Sequence, residues 1–273
     1  MKPNDIPAGN KTPAPPNECG PRRTIRLLLE YDGSDFLGWQ IQASGRTVQG
    51  ELARALQIFL RESPCPIGSG RTDTATHALG QVAHFHTFSN QSPTRIQKAL
   101  NALLPADIAV LKAEEAAPEF HARYSARGKV YRYRISNTKT ALCRNQVWAF
   151  YRPLDLDAMR QATTTLLGTH DFGAFCKRDP VPDNFTCRIT RCSWQVQGRE
   201  LIFEIEANRF LRHMVRIIVG TLVEIGSGRR APEDMASLLA SGDRTKAGPT
   251  APARGLCLLR VYYPEDSQTA CAL

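Results

Sequence analysis

Two successive blocks of apolar periodicity, each mixing strand and helix patterns, constrain this chain more than any other feature. The first opens with "TIRLLLEYDG" (24–33), an apolar run closed by the Asp32-Gly33 turn pair, which reads as a buried strand. Thr47 then precedes Val48, Leu52, Ala55, Leu56 and Phe59 at helical spacing, so a capped helix is expected. "GQVAHFHTF" reads as a second strand, a Pro-led helix runs from Ser92 to its stop at Pro105, and "IAVLKAEEA" is strand-like. After about residue 118 the pattern starts afresh. Strand "KVYRYRIS", helix "LDLDAMRQATTTLLG", strand "RCSWQVQ", a hairpin turn at Gly198, strand "ELIFEIEA", helix "FLRHMVRIIVGTLVEIG" and closing strand "ARGLCLLRVYYP" follow in order. The expected fold class is therefore α+β, as two mixed α/β-sheet domains at 22–117 and 118–265. A cleft between two such domains is a common place for an active site. The Pro- and Asn-rich segment 1–21 reads as a disordered tail, and 266–273 as a flexible C-terminus.

The chain is long enough, at 273 residues with 42% hydrophobic, to bury a substantial core. Its 35 basic against 26 acidic residues leave a net charge of +9, which suits a polyanionic partner such as nucleic acid. Of the basic residues 27 are arginine, whose planar fork grips phosphate with two parallel hydrogen bonds; genomic base composition would raise the same count. Eight scattered cysteines without a C-x-x-C pair read as reduced thiols rather than a disulfide framework or zinc site. With no apolar leader and no run of about 20 apolar residues, the expectation is a cytoplasmic protein without a membrane segment.

Three clusters carry possible chemistry. In "GRTD", Arg71 and Asp73 lie two residues apart; on extended backbone they share a side, where the guanidinium orients the carboxylate and favours its ionised form. Such an aspartate serves as nucleophile or electrostatic stabiliser, and the plain alternative is a surface ion pair. In "HARYSARGKVYRYR", Arg123, Arg127, Lys129, Arg132 and Arg134 interleave with Tyr124, Tyr131 and Tyr133. Tyr131 and Tyr133 share one strand face and Arg132 and Arg134 the other, so one face can stack on a splayed base while the other holds phosphate. Taken alone, the cluster is better explained by core tyrosines under a solvated basic face. In "NRFLRHMVRIIVG", Arg216 interrupts an apolar helical stripe and wants a partner, for which Asp73 is a chemical candidate, unless Arg216 snorkels outward. His213 alone reads as structural. His84 and His86 of "HFH" have ligand spacing but no third partner, so no metal is expected.

With these clusters in order, the chain closely resembles the TruA family, tRNA pseudouridine synthases that modify the anticodon arm. The match runs from Arg23 to Pro264 and includes "YDGSDFLGWQIQ", "TVQGELARAL", "GRTDTATHALGQVAHF", "FHARYSARGKVYRYRI", "GTHDFGAF", "NRFLRHMVRIIVGTL" and "AGPTAPARGLCLLRVYYP". The resemblance implies the pseudouridine synthase fold with two ferredoxin-like domains around the active-site cleft, no cofactor, no metal, a homodimer, and tRNA as partner. It implies that Asp73 is the catalytic aspartate, that Arg71 is the arginine before it, and that Arg216 pairs with Asp73. Tyr131 corresponds to the tyrosine that packs on the target base and helps remove its C5 proton. Arg123, Arg127 and Arg132, from the basic cluster itself, are expected to join it in binding the substrate. The implied reaction converts uridine to pseudouridine at tRNA positions 38, 39 and 40.

One departure stands out. The family reads "GRTDAGVHA", whereas this chain places Thr74, Ala75 and Thr76 after Asp73. Ala75 is expected to sit at ordinary dihedrals, since it lacks the freedom of glycine to take positive φ. Two other readings use the same residues: an RNA nucleobase glycosidase in which water captures the sugar, and a non-enzymatic tRNA-binding or folding protein.

Overall fold

One mixed sheet runs through both sequence blocks. The computed structural model describes residues 21–179, 181–182 and 184–264; apart from Pro21, the expected tails lie outside the described residues. The strands are β1 (Arg23–Tyr31), β2 (Ile67–Gly68), β3 (His77–Thr87), β4 (Ile108–Ala116), β5 (Gly128–Ser136), β6 (Trp148–Ala149), β7 (Gly168–Asp171), β8 (Thr186–Gln197), β9 (Glu200–Ala207) and β10 (Leu256–Tyr262). The helices are α1 (Val48–Leu60), α2 (Pro93–Leu103), α3 (Leu156–Thr164), α4 (Met214–Gly226) and α5 (Asp234–Ser241). The sheet order is β4-β1-β3-β10-β5-β9-β8-β7, with β2 on β3 and β6 on β5.

The closing strand joins the two blocks. β10 pairs parallel with β3 (Cys257 opposite His77) and antiparallel with β5 (Leu258 opposite Tyr131). Because Leu258 also lies opposite Ala78, the start of β3 and the middle of β5 are held one strand apart. That register brings the loop carrying Asp73 and the tyrosine strand to the same region.

Local signals shape the elements as their chemistry requires. Thr47 caps α1 by accepting from the Gly50 N–H at 3.2 Å, and α1 buries Val48, Leu52, Ala55 and Leu56. Ser92 caps α2 with Pro93 in its first turn, where the missing N–H costs nothing. Along β1 the alternation buries Ile25, Leu27, Leu29 and Tyr31 and leaves Arg26, Leu28 and Glu30 half-buried. The strands β2, β6 and β7 and the helix α5 are absent from the sequence reading, being too short to show a period.

α4 departs from expectation at its start. It begins at Met214, not Phe210, because His213 takes a left-handed conformation with φ of 62° and breaks the helical path. Its body is buried almost all round, and the segment 247–251 crosses it closely. A Cβ on Gly220 would stand 1.8 Å from the Pro249 carbonyl oxygen, so only glycine fits there. The Ala251 N–H donates to the Arg216 carbonyl at 3.1 Å, which ties that segment to the turn of α4 bearing Arg216.

Candidate active site

The loop Ser69–Thr76 between β2 and β3 is irregular backbone, yet it is tied down at nearly every residue. The Ser69 N–H donates to the Val82 carbonyl at 2.7 Å and its hydroxyl to Gln81 Oε1 at 2.7 Å, while Gln81 Nε2 donates to the Gly70 carbonyl at 3.0 Å. Thr72 Oγ1 meets the Tyr31 hydroxyl at 2.8 Å, and its carbonyl accepts from the Trp39 N–H at 3.1 Å. Gly38, at φ of 92°, passes so near that a Cβ would stand 2.5 Å from the Thr72 oxygen. The motif "YDGSDFLGW" is thus a cradle for the Asp73 loop.

Asp73 opens a tight turn: its carbonyl accepts from the Thr76 N–H at 3.1 Å, and the Ala75 N–H donates to the Phe36 carbonyl at 3.2 Å. Ala75 stands at φ of 59°. This corrects the expectation of ordinary dihedrals. A turn with positive φ only at its third residue is the type that calls for glycine there, and alanine accepts it at about 1–2 kcal/mol. Thr76 adds a second cost, because its buried Oγ1 has no hydrogen-bond partner among the described residues.

Asp73 and Arg216 meet. Arg216 Nη1 donates to Asp73 Oδ2 at 2.8 Å, and its Nε donates to the Ala251 carbonyl at 2.8 Å, so the guanidinium is aimed by its own backbone anchor. His213 Nε2 stands 3.4 Å from the same Oδ2. Sequence reading passed over His213; its spacing of three before Arg216, which puts the two side chains on one side of a helix start, was the available signal. Burial pushes the His213 imidazole below the usual histidine range, against the pull of Asp73.

Tyr131 is buried on β5, its ring edge-on to Phe210 with centroids 5.0 Å apart. Burial, helped by Tyr31 and the Asp73 charge, holds its phenol far above the ordinary tyrosine range. In this state Tyr131 is a neutral phenol. Lys129, on the same strand face, donates to the Ser69 carbonyl at 2.6 Å. Burial lowers its pKa to about 8, with Arg123 acting in the same sense.

The arginines divide into two groups. Arg71, Arg123 and Arg127 are exposed, and among the described residues Arg71 makes no ion pair with Asp73, whose partner is Arg216. The expected Arg71–Asp73 ion pair is thereby corrected: among the described residues the carboxylate pairs with Arg216 and stands beside His213 instead. Arg132 is engaged with a cross-strand carboxylate: its Nε and Nη2 both donate to Glu204 at 2.9 and 2.7 Å. Glu204 is its antiparallel neighbour on β9, so that guanidinium is occupied within the sheet. Arg134 is likewise held by Glu200. Exposed Arg212 and Lys177 join the basic rim beside His213.

His84 does not have a free ligand atom at Nδ1, which accepts the Ala122 N–H at 3.2 Å. Among the described residues no group of three or more His, Cys, Asp or Glu is placed to hold a metal. The six described cysteines are free thiols, and no described helix is long and apolar enough to cross a membrane. A cavity of about 230 Å³ lies elsewhere, lined by Glu30, Asp32, Asp107, Arg132 and Arg134 but by neither Asp73 nor Tyr131.

A family model described as tRNA pseudouridine synthase matches residues 28–125 and 162–264. The tRNA pseudouridine synthase A of Moorella thermoacetica is 48% identical over 243 residues, which is 88% of this chain and 99% of the relative. That of Halalkalibacterium halodurans is 46% identical over 237 residues, 86% of this chain and 90% of the relative. A chain in the crystal structure of a Cbf5-Nop10-Gar1 complex aligns with a TM-score of 0.34 at 11% identity, covering 88% of this chain and 51% of that one, a likeness too slight to carry weight.

Proposed function

The chain belongs to the tRNA pseudouridine synthase A family, isomerases acting on tRNA, and from that premise we propose that Asp73 carries the reaction on uridines of the anticodon arm. By family resemblance these are positions 38, 39 and 40. The observation that supports this reading most is the Arg216–Asp73 ion pair, which keeps a half-exposed carboxylate aimed across two elements far apart in sequence. The reaction breaks the N1–C1′ bond, turns the uracil, and joins C5 to C1′; the proton on C5 is lost and one is gained at N1. A carboxylate suits it, whether by attack on the ribose or the base or by removal of a ribose proton, since it leaves again when the new bond forms.

The remaining roles follow from placement. Turning the base requires it to leave its stack, and Tyr131 offers the neutral ring against which it packs. Arg71, Arg123 and Arg127, all exposed, grip phosphate. The two sequence halves act as the two domains that wall the cleft, in a cytoplasmic homodimer with tRNA lying across both subunits.

The test is incubation with unmodified tRNA and mapping of pseudouridine in the anticodon arm. Asp73→Asn is expected to bind tRNA while converting no uridine; retained turnover would remove Asp73 from the chemistry. Release of free uracil would favour a glycosidase instead, and binding without conversion by the unaltered protein a tRNA-folding role.

A further inference from the structure

The Asp73 carboxylate is held by one oxygen only. Oδ2 receives Arg216 Nη1 at 2.8 Å and stands 3.4 Å from His213 Nε2, whereas Oδ1 takes no hydrogen bond among the described residues. His213 reaches this place through unfavourable backbone. Its φ of 62° lies in the left-handed region, which is unfavourable for a residue with a Cβ. No side-chain capping bond to α4 offsets that cost. Strain kept beside a reacting group points from geometry to function.

We propose that His213 is a positioning residue that works with Arg216 to pin Oδ2, so that Oδ1 is the atom presented to the uridine. This rests on the reading of Asp73 as the reacting group. The groups facing His213 are Asp73 from the loop, Arg216 from α4, Arg212 ahead of α4, and Lys177 from the neighbouring segment. Three of the four are cations and add to burial in disfavouring a charged imidazole, so at neutral pH the ring has one N–H to give. A neutral donor directs the carboxylate while drawing less on its negative charge than a second cation would.

The test sets stability against rate. His213→Gly removes both the strain and the side chain, whereas His213→Gln keeps an amide donor near the position of Nε2 but remains strained. Thermal stability is expected to run Gly at or above wild type and Gln below it. Single-turnover pseudouridine formation is expected to run the other way: Gly about tenfold below wild type, Gln between them, with tRNA affinity unchanged. Wild-type rate in His213→Gly, rates that follow stability, or a loss confined to tRNA affinity would each overturn the proposal. If His213→Gly does not fold, His213→Asn replaces it, because asparagine tolerates the same backbone. Failure of the wild-type protein to convert uridine in this assay would instead overturn the reading beneath it.

Discussion

Arg216 reaches Asp73 across 143 residues of sequence with a 2.8 Å bond, and the same guanidinium holds the Ala251 carbonyl. A planar fork can make both bonds at once; an ammonium, as a single mobile charge, trades one for the other. Arg216→Lys is therefore expected to lower single-turnover conversion about 100-fold while tRNA binding changes little. Rate and affinity measured on the same variant decide it, and an unimpaired rate would show the anchored fork to be dispensable.

Ala75 holds a turn position made for glycine, at φ of 59°. Ala75→Gly removes the strain but adds freedom to the unfolded chain, so the net gain is expected to be no more than about 1 kcal/mol. Urea denaturation gives the sign directly. A loss of stability would mean that alanine packing outweighs its backbone strain.

Thr76 Oγ1 is buried without a partner, next to a backbone already under strain. Thr76→Val keeps the branched shape and removes the hydroxyl, and a gain of about 1–2 kcal/mol is expected. Equal stability of the two proteins would imply a bound water at that hydroxyl.

The two kinds of arginine should respond differently. Arg132→Ala breaks the Glu204 pair and is expected to cost about 1 kcal/mol or less in stability without weakening tRNA binding. Arg123→Ala and Arg127→Ala are expected to weaken binding and to lower its salt dependence by about one unit each. Titrations at several salt concentrations separate the two groups, and a flatter salt slope for Arg132→Ala would return it to the RNA surface.

His84 couples the fold to acid. It is buried against His86 and His121, and burial, with those neighbours, lowers its pKa from 6.5 to about 4. Between those values the unfolded chain binds the extra proton and the folded one does not, so stability is lost as pH falls from about 6.5 toward 4. His84→Asn, which titrates nowhere in that window, should lose less stability over the same fall. Parallel denaturation curves at pH 7 and 4.5 for the two proteins make the comparison.

Most elements were legible in the sequence because their causes are local. Apolar, strand-like runs marked β1, β4, β5 and β9, while the Thr47 cap and the Pro-led start after Ser92 announced α1 and α2 through signals that act within one turn. Asp73 and Tyr131 stood out by residue type and motif, and Arg216 by the oddity of a charge in an apolar stripe. Short elements such as β2 and α5 were not legible, since neither is long enough to display a period.

Residue types and spacings thus determined which side chains are available for chemistry and which segments are strand or helix. Only tertiary structure decided their partners, because hydrogen bonds and ion pairs depend on positions that β10 sets by joining β3 to β5. It paired Asp73 with Arg216 rather than Arg71, gave Arg132 to Glu204, and brought His213 to the carboxylate. It also placed Ala75 in left-handed backbone, since the turn must follow the contacts that hold Asp73 whatever residue occupies that position.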